Sequence, residues 1–129
     1  MEDGLQALID AARSVCGEFA LAEDFTAGAV GAAILTESGR VYTGICLDLV
    51  CGIGFCAEAS AAAAMLKDRE TRVKAVVAVS AKRIVPPCGR CREMLLQINA
   101  ANADALVIIA SDRAIPLRDL LPHHWLPKP

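Results

Sequence analysis

Val73-Lys74-Ala75-Val76-Val77-Ala78-Val79, then Pro86-Pro87-Cys88-Gly89-Arg90-Cys91, then Leu106-Val107-Ile108-Ile109-Ala110 is the stretch on which the architecture turns. The outer two runs are short, continuous and apolar, the pattern of strands covered on both faces. The paired prolines stop the chain and preset the start of a helix, expected from Cys88 to about Asn99. A strand, a helix and a second strand in this order give parallel strands joined by a crossover. Outward from this unit, Leu5, Leu8, Ile9, Ala12, Val15, Cys16 and Phe19 recur at helical spacing, which predicts an amphipathic helix over 4–18. Ala29 to Leu35 and Arg40 to Leu47 flank Thr36-Glu37-Ser38-Gly39 and read as a hairpin. Phe55 to Lys67 is dense in helix formers, and Pro116 to Leu121 reads as a last short helix. The order helix, hairpin, helix, strand, helix, strand predicts an α/β fold of three layers, with helices on both faces of a mixed sheet.

The 129 residues show no repeat, linker or break in composition, so one domain spanning 1–129 is expected. A net charge of −2 without a basic run argues against a nucleic-acid partner. Hydrophobic residues make up 55% and aromatics only 4%, so the apolar excess is Ala, Val, Leu and Ile. Glu58 and Lys67 interrupt its richest stretch, which leaves no span for a membrane. The opening Met1-Glu2-Asp3-Gly4 is acidic where a signal peptide would be basic, and a cytoplasmic location is expected. Surplus apolar surface then points to contact with further copies of the chain. In that reducing setting, six cysteines, with Cys88 and Cys91 in a tight C-x-x-C and Cys16, Cys46 and Cys51 standing apart, point to a metal rather than a disulfide framework.

Parallel packing of the Val73 and Leu106 strands gathers helix N-termini along one edge of the sheet, so the helices starting at Cys56 and Cys88 aim their first turns at one spot. Free N–H groups and the helix dipole there favour the thiolates a metal requires. Cys56, Cys88 and Cys91 supply three ligands, and three protein ligands with an open fourth position is the pattern of a catalytic Zn2+, which brings a bound water toward neutral pKa. Glu58, two residues beyond Cys56, is placed to move that water's proton. A closed structural site that adds Cys51 is the plainer alternative, but it leaves Glu58 without a role and has no place for water. A thioredoxin-like role for Cys88 and Cys91 needs a different strand context.

Phe55-Cys56-Ala57-Glu58 followed by Pro87-Cys88-Gly89-Arg90-Cys91-Arg92-Glu93 resembles the cytidine deaminase superfamily, in its small single-domain zinc branch. The likeness covers most of the chain and includes Val30-Gly31-Ala32-Ala33 and Leu120-Leu121-Pro122. It implies the three-layer cytidine deaminase-like fold, zinc on Cys56, Cys88 and Cys91, and Glu58 as proton shuttle. It further implies that the Ala57 backbone holds the pyrimidine amide and that the Pro86 carbonyl accepts from the departing amine. The aromatic residue that such enzymes stack on the base falls on Gly28, and the pair that reads the ribose falls on Cys46 and Asp48. An Arg that often follows the Glu is Ala59 here, so Arg90, Arg92 and the helix N-termini are left to offset the charge of three thiolates. Ala59, and Arg92-Glu93 after the last Cys, resemble the blasticidin S deaminase branch. The resemblance implies a homotetramer that deaminates cytidine or deoxycytidine; blasticidin S or another modified cytosine is the second reading. A zinc-stabilised binding module without turnover is the alternative of another class.

Cys16 and Cys46 also read simply as core residues, and Cys51 as core or pocket wall. His123 and His124, being adjacent, make a poor chelate and read as solvated tail. Trp125 reads either as an anchor for the tail or, by the resemblance, as a ring stacking on substrate. Arg92 reads as a surface residue or as a cation supporting the thiolates. The alanines at 61–64 form a helix-packing surface.

Overall fold

The computed structural model describes residues 2–127; Met1, Lys128 and Pro129 lie outside them. The elements are α1 (Asp3–Val15), β1 (Phe19–Ala20), β2 (Thr26–Thr36), β3 (Val41–Asp48), α2 (Ala57–Lys67), β4 (Val73–Ser80), α3 (Gly89–Ile98), a 3₁₀ turn (Ala100–Asp104), β5 (Leu106–Ala110), β6 (Arg113–Pro116) and α4 (Leu117–Leu120). Every element read from the sequence is present. The first helix is shorter than its periodicity suggests. Cys16 turns extended and Gly17 N–H donates to the Gly28 carbonyl at 2.8 Å. Phe19, which keeps the helical spacing just past the expected end at 18, lies in β1 and pairs with Ala27 of β2. Pairing across the sheet outweighs helical spacing at that end.

Ala32 pairs with Gly44 on β3 and with Ala78 on β4, so β2 lies between them. The sheet continues through β5 to β6. β4 and β5 are parallel and joined through α3, as expected, while the other pairs are antiparallel. β6 escaped the sequence reading because four residues after the Ser111-Asp112 turn show no alternation.

The layers follow from which side chains the strands turn to each face. Leu5, Leu8, Ile9 and Ala12 of α1 pack with Val77, Val79 and Ile108. On the other face, α2, α3 and α4 bring Ala61, Met65, Leu95 and Leu117 onto Ile34, Val76 and Val107. β4 is thus covered on both sides, and six of its eight residues are buried. α2 lies unusually close to the sheet because β3 passes it at Gly44, where a Cβ would fall 2.4 Å from the Ala61 nitrogen. That approach sets the depth of the first turn of α2.

Asn102 is fully buried and ties the 3₁₀ turn to two other segments. Its amide donates to the carbonyls of Thr71 (3.0 Å) and Leu95 (2.9 Å), and its oxygen accepts from Val73 N–H at 2.8 Å. Asn102→Ala would orphan one buried donor and two acceptors, and is expected to cost about 3 kcal/mol in chemical denaturation. A loss below about 1 kcal/mol would show that water replaces the amide.

Candidate active site and metal centre

Cys56 caps α2 and Cys88 caps α3, each with extended backbone. Cys91 sits in the first turn of α3 and is buried. The two helices converge at their N-termini, as the topology requires. The three Sγ atoms lie within 4.8 Å of one another, with Cys56 and Cys88 at 3.5 Å. Zinc–sulfur bonds of about 2.3 Å at tetrahedral angles place sulfurs about 3.8 Å apart, so the trio fits a zinc ion in donor type and in spacing. Among the described residues this is the group of metal-ligand spacing; Cys51 is exposed and not part of it, which removes the closed four-thiolate alternative.

A cleft of about 540 Å³ opens beside the sulfurs, and Cys56, Cys88 and Glu58 line it. Glu58 is only 4% exposed although it carries a carboxylate. Burial pushes that carboxyl above its ordinary value, partly offset by a hydrogen bond from its own backbone N–H. In the metal-free protein, burial likewise pushes the thiols of Cys91 and Cys56 up. Burial raises Cys88 as well, but hydrogen bonds from the Cys91 and Arg90 backbones and from Cys56 outweigh it, and this thiol lies below its ordinary value. Helix N–H groups thus favour the Cys88 thiolate, while burial disfavours those of Cys56 and Cys91.

Ala57, Pro86, Cys46 and Asp48 line the same cleft. Ala57 is the first residue of α2, where backbone N–H groups lack intrahelical partners. The Cys46 thiol accepts from Val30 N–H (3.3 Å) and donates to the Asp48 carboxylate (3.8 Å), so it serves both as packed core and as cleft wall. Asp48 also accepts from the Thr26 hydroxyl at 3.5 Å.

The two arginines separate. Arg90 lines the cleft. Arg92 instead donates from Nε to the Pro87 carbonyl at 2.7 Å and from a terminal nitrogen to the Leu120 carbonyl at 3.1 Å. It clamps the turn before Cys88 to the end of α4. Arg92→Ala is expected to lower stability by about 1.5 kcal/mol, since two charge-assisted bonds to carbonyls are lost at a partly exposed site. An unchanged melting temperature would show the clamp to be idle.

Trp125 lies outside the cleft of its own chain. The residue is 78% exposed, and the tail is held by its backbone N–H, which donates to the Glu93 carboxylate at 2.9 Å. His123 is exposed, whereas His124 is half-buried beside Leu96 and Leu117 rather than solvated. Gly28 has φ +86°, and a Cβ there would fall 2.4 Å from the Gly17 carbonyl oxygen. No aromatic ring can stand at that position on this backbone. The register shift between Ala27 and Gly31 in β2 instead brings Ala29 and Val30 to the cleft. Phe55 and Val85 also line it, and the sequence reading missed both. The place of Phe55 depends on a bridge to Leu47 that local sequence does not signal.

The family model for the cytidine and deoxycytidylate deaminase zinc-binding region matches residues 5–107, a span holding all three cysteines and Glu58. The chain belongs to this deaminase family. The cytidine deaminase of Mycobacterium tuberculosis (strain ATCC 25618 / H37Rv) is 38% identical over 96 residues, 73% of this chain and 70% of that protein. The cytidine deaminase of Halalkalibacterium halodurans is 32% identical over 97 residues, 72% of this chain and 74% of that protein. The crystal structure of the Mycobacterium tuberculosis enzyme superposes with a TM-score of 0.79 at 31% identity, covering 97% of this chain and 98% of that one. That of the Mycobacterium leprae cytidine deaminase gives 0.78 at 26%, covering 95% and 100%. The three-layer α/β fold is therefore that of the deaminase family, and its zinc fits the sulfur trio of Cys56, Cys88 and Cys91.

Proposed function

We propose that the protein is a zinc-dependent hydrolytic deaminase that converts a cytosine-type nucleoside, cytidine or deoxycytidine first among them, to its uracil counterpart and ammonia. The observation that carries this reading is a cleft lined by Cys56, Cys88 and a buried carboxyl, beside three convergent sulfurs and inside a match to the deaminase zinc-binding region. When bound by Cys56, Cys88 and Cys91, zinc supplies the Lewis acidity that makes water a nucleophile at neutral pH. The chain's own groups do the rest. Glu58 takes a proton from the water, delivers it to the ring nitrogen, and returns the second to the leaving amine. A carbon–oxygen bond forms, the exocyclic carbon–nitrogen bond breaks, and ammonia departs with both protons accounted for.

The Ala57 backbone is assigned to the pyrimidine amide and the Pro86 carbonyl to the departing amine; both line the cleft beside Glu58. Asp48 is assigned to a sugar hydroxyl, with the Cys46 thiol supporting its carboxylate. Arg90 is assigned to offsetting the thiolate charge, and Arg92 to holding the turn before Cys88. Exposed Phe19, Val50, Ile53 and Trp125 support assembly into a homo-oligomer, a tetramer by family resemblance, with Trp125 free to reach a neighbouring copy. A cytoplasmic setting suits six free cysteines, of which the site needs three reduced.

Loss of ultraviolet absorbance, with ammonia release, across cytosine, cytidine, deoxycytidine, 5-methylcytidine and blasticidin S is the decisive assay. Cytidine or deoxycytidine is expected to react fastest. Blasticidin S reacting alone would move the substrate to the second reading, which the Cys46 thiol in the cleft wall favours over an amide-lined ribose site. Zinc-loaded protein that leaves all five untouched removes the enzyme reading.

A further inference from the structure

We propose that Phe55 is the platform on which the substrate ring lies, and so a specificity-determining residue of this cleft; the inference rests on the deaminase reading above. The chain holds three Phe, one Tyr and one Trp. Of these aromatic side chains, Phe55 is the one that lines the cleft. Tyr42 is engaged with Asp68 and Glu70 at 2.8 Å each, far along the hairpin, and Trp125 lies outside the cleft of its own chain. Gly28 cannot carry a ring, for the steric reason given above.

The backbone of Phe55 is held on both sides. Its N–H donates to the Leu47 carbonyl at 3.0 Å, the Leu47 N–H donates back at 2.9 Å, and the next residue is Cys56, the cap of α2. Despite this rigid seat the residue is 39% exposed. A large apolar ring held firmly but left uncovered at a cleft is surface that a ligand can cover. Val30 and Val85 supply further apolar wall, while Glu58, Cys56 and Cys88 supply the polar end. A flat heteroaromatic ring presenting its amine to that end finds its aromatic face in Phe55.

Phe55 carries no charge and moves no proton, so its contribution is to binding shared by ground and transition states. Such a contribution moves KM and leaves kcat in place. Cytidine kinetics on the unaltered chain, Phe55→Tyr and Phe55→Leu read it directly. Phe55→Leu keeps an apolar side chain and is expected to raise KM about tenfold with kcat within about twofold, while Phe55→Tyr behaves as the unaltered chain. Zinc content and melting temperature of both variants should match the parent. Calorimetry with zinc-loaded protein gives a readout apart from turnover. Uridine, the planar product, is expected to bind about tenfold more tightly than dihydrouridine, whose saturated ring is puckered, and Phe55→Leu to erase that difference.

Unchanged KM and uridine affinity in Phe55→Leu overturn the proposal, as does a fall in kcat at constant KM, which would mean that Phe55 acts by positioning Cys56. Should Phe55→Leu fail to fold, equal affinity of the unaltered chain for uridine and dihydrouridine overturns it equally. An unaltered chain that turns over cytidine in any of these cases removes this inference alone. One that neither reacts with cytidine nor binds uridine removes the deaminase reading and this inference with it.

Discussion

Glu58→Gln is expected to lower ammonia release by about 10²–10⁴-fold while zinc content stays that of the unaltered chain. Gln keeps the size and the polar tip of the side chain but cannot accept and return a proton. Because Glu58 is buried in the first turn of α2 and is not one of the three sulfur donors, the replacement touches the proton path and spares the metal. Colorimetric ammonia release and zinc analysis on the same preparation separate the two possibilities. A chain that releases no ammonia before the change, yet holds zinc, is the binding module and not the enzyme. Retained activity in Glu58→Gln would remove Glu58 from the chemistry.

The same change has a second consequence in metal-free protein. The folded-state value of the Glu58 carboxyl lies above its unfolded one, so the fold holds the proton more tightly. Stability conferred by that proton is complete below the unfolded value and lost as pH rises through the folded value. Glu58→Gln removes this dependence, so metal-free variant and parent should differ least in acid and most above the folded value, with the variant more stable. Thermal unfolding in chelator across that range checks it; a parent that gains stability over Gln as pH rises would reverse the sign.

Cys91→Ala is expected to abolish stoichiometric zinc and lower the melting temperature by roughly 12–20 °C relative to the zinc-loaded parent. A metal present at a thousandfold its dissociation constant contributes about 4 kcal/mol to the folded state, and for a chain of this size each kcal/mol is worth about 3–5 °C. Chelation of the parent should bring it within a few degrees of the variant, because the α1 and α2/α3 cores do not depend on the metal. Zinc affinity should also weaken as pH falls, since the Cys56 and Cys91 thiols, raised by burial, must release protons to bind. Full zinc occupancy in Cys91→Ala would mean that another donor completes the site, with Cys51 the nearest candidate in sequence to Cys56.

The strands at 73–80 and 106–110 were legible because burial on both faces forces a continuous apolar run, and the α3 start because Pro86-Pro87 can do little else. The sulfurs were legible for a similar local reason: each is a helix cap or lies in a first turn, and cap position is written in neighbouring residues. The departures share an opposite character. Phe19 follows the helical spacing in sequence yet lies in β1, because Ala27 is there to pair with it. His124 turns inward because α3 and α4 offer it a partly covered groove. Arg92 serves the Pro87 and Leu120 carbonyls, partners drawn from two segments that only folding brings together.

The residue types of the ligands, the spacing of Cys88 to Cys91 and that of Cys56 to Glu58 were thus decided within short windows of the chain, while the meeting of the two helix N-termini followed from the parallel pairing of β4 and β5. The shape of the cleft was decided otherwise. Gly28 is barred from bearing a ring by the Gly17 carbonyl, Phe55 is brought to the wall by its bridge to Leu47, and Trp125 is left in solvent by a tail tethered to Glu93. Each of these is a contact between residues eight or more positions apart, set by tertiary pairing and packing, and no local pattern of residues encodes it.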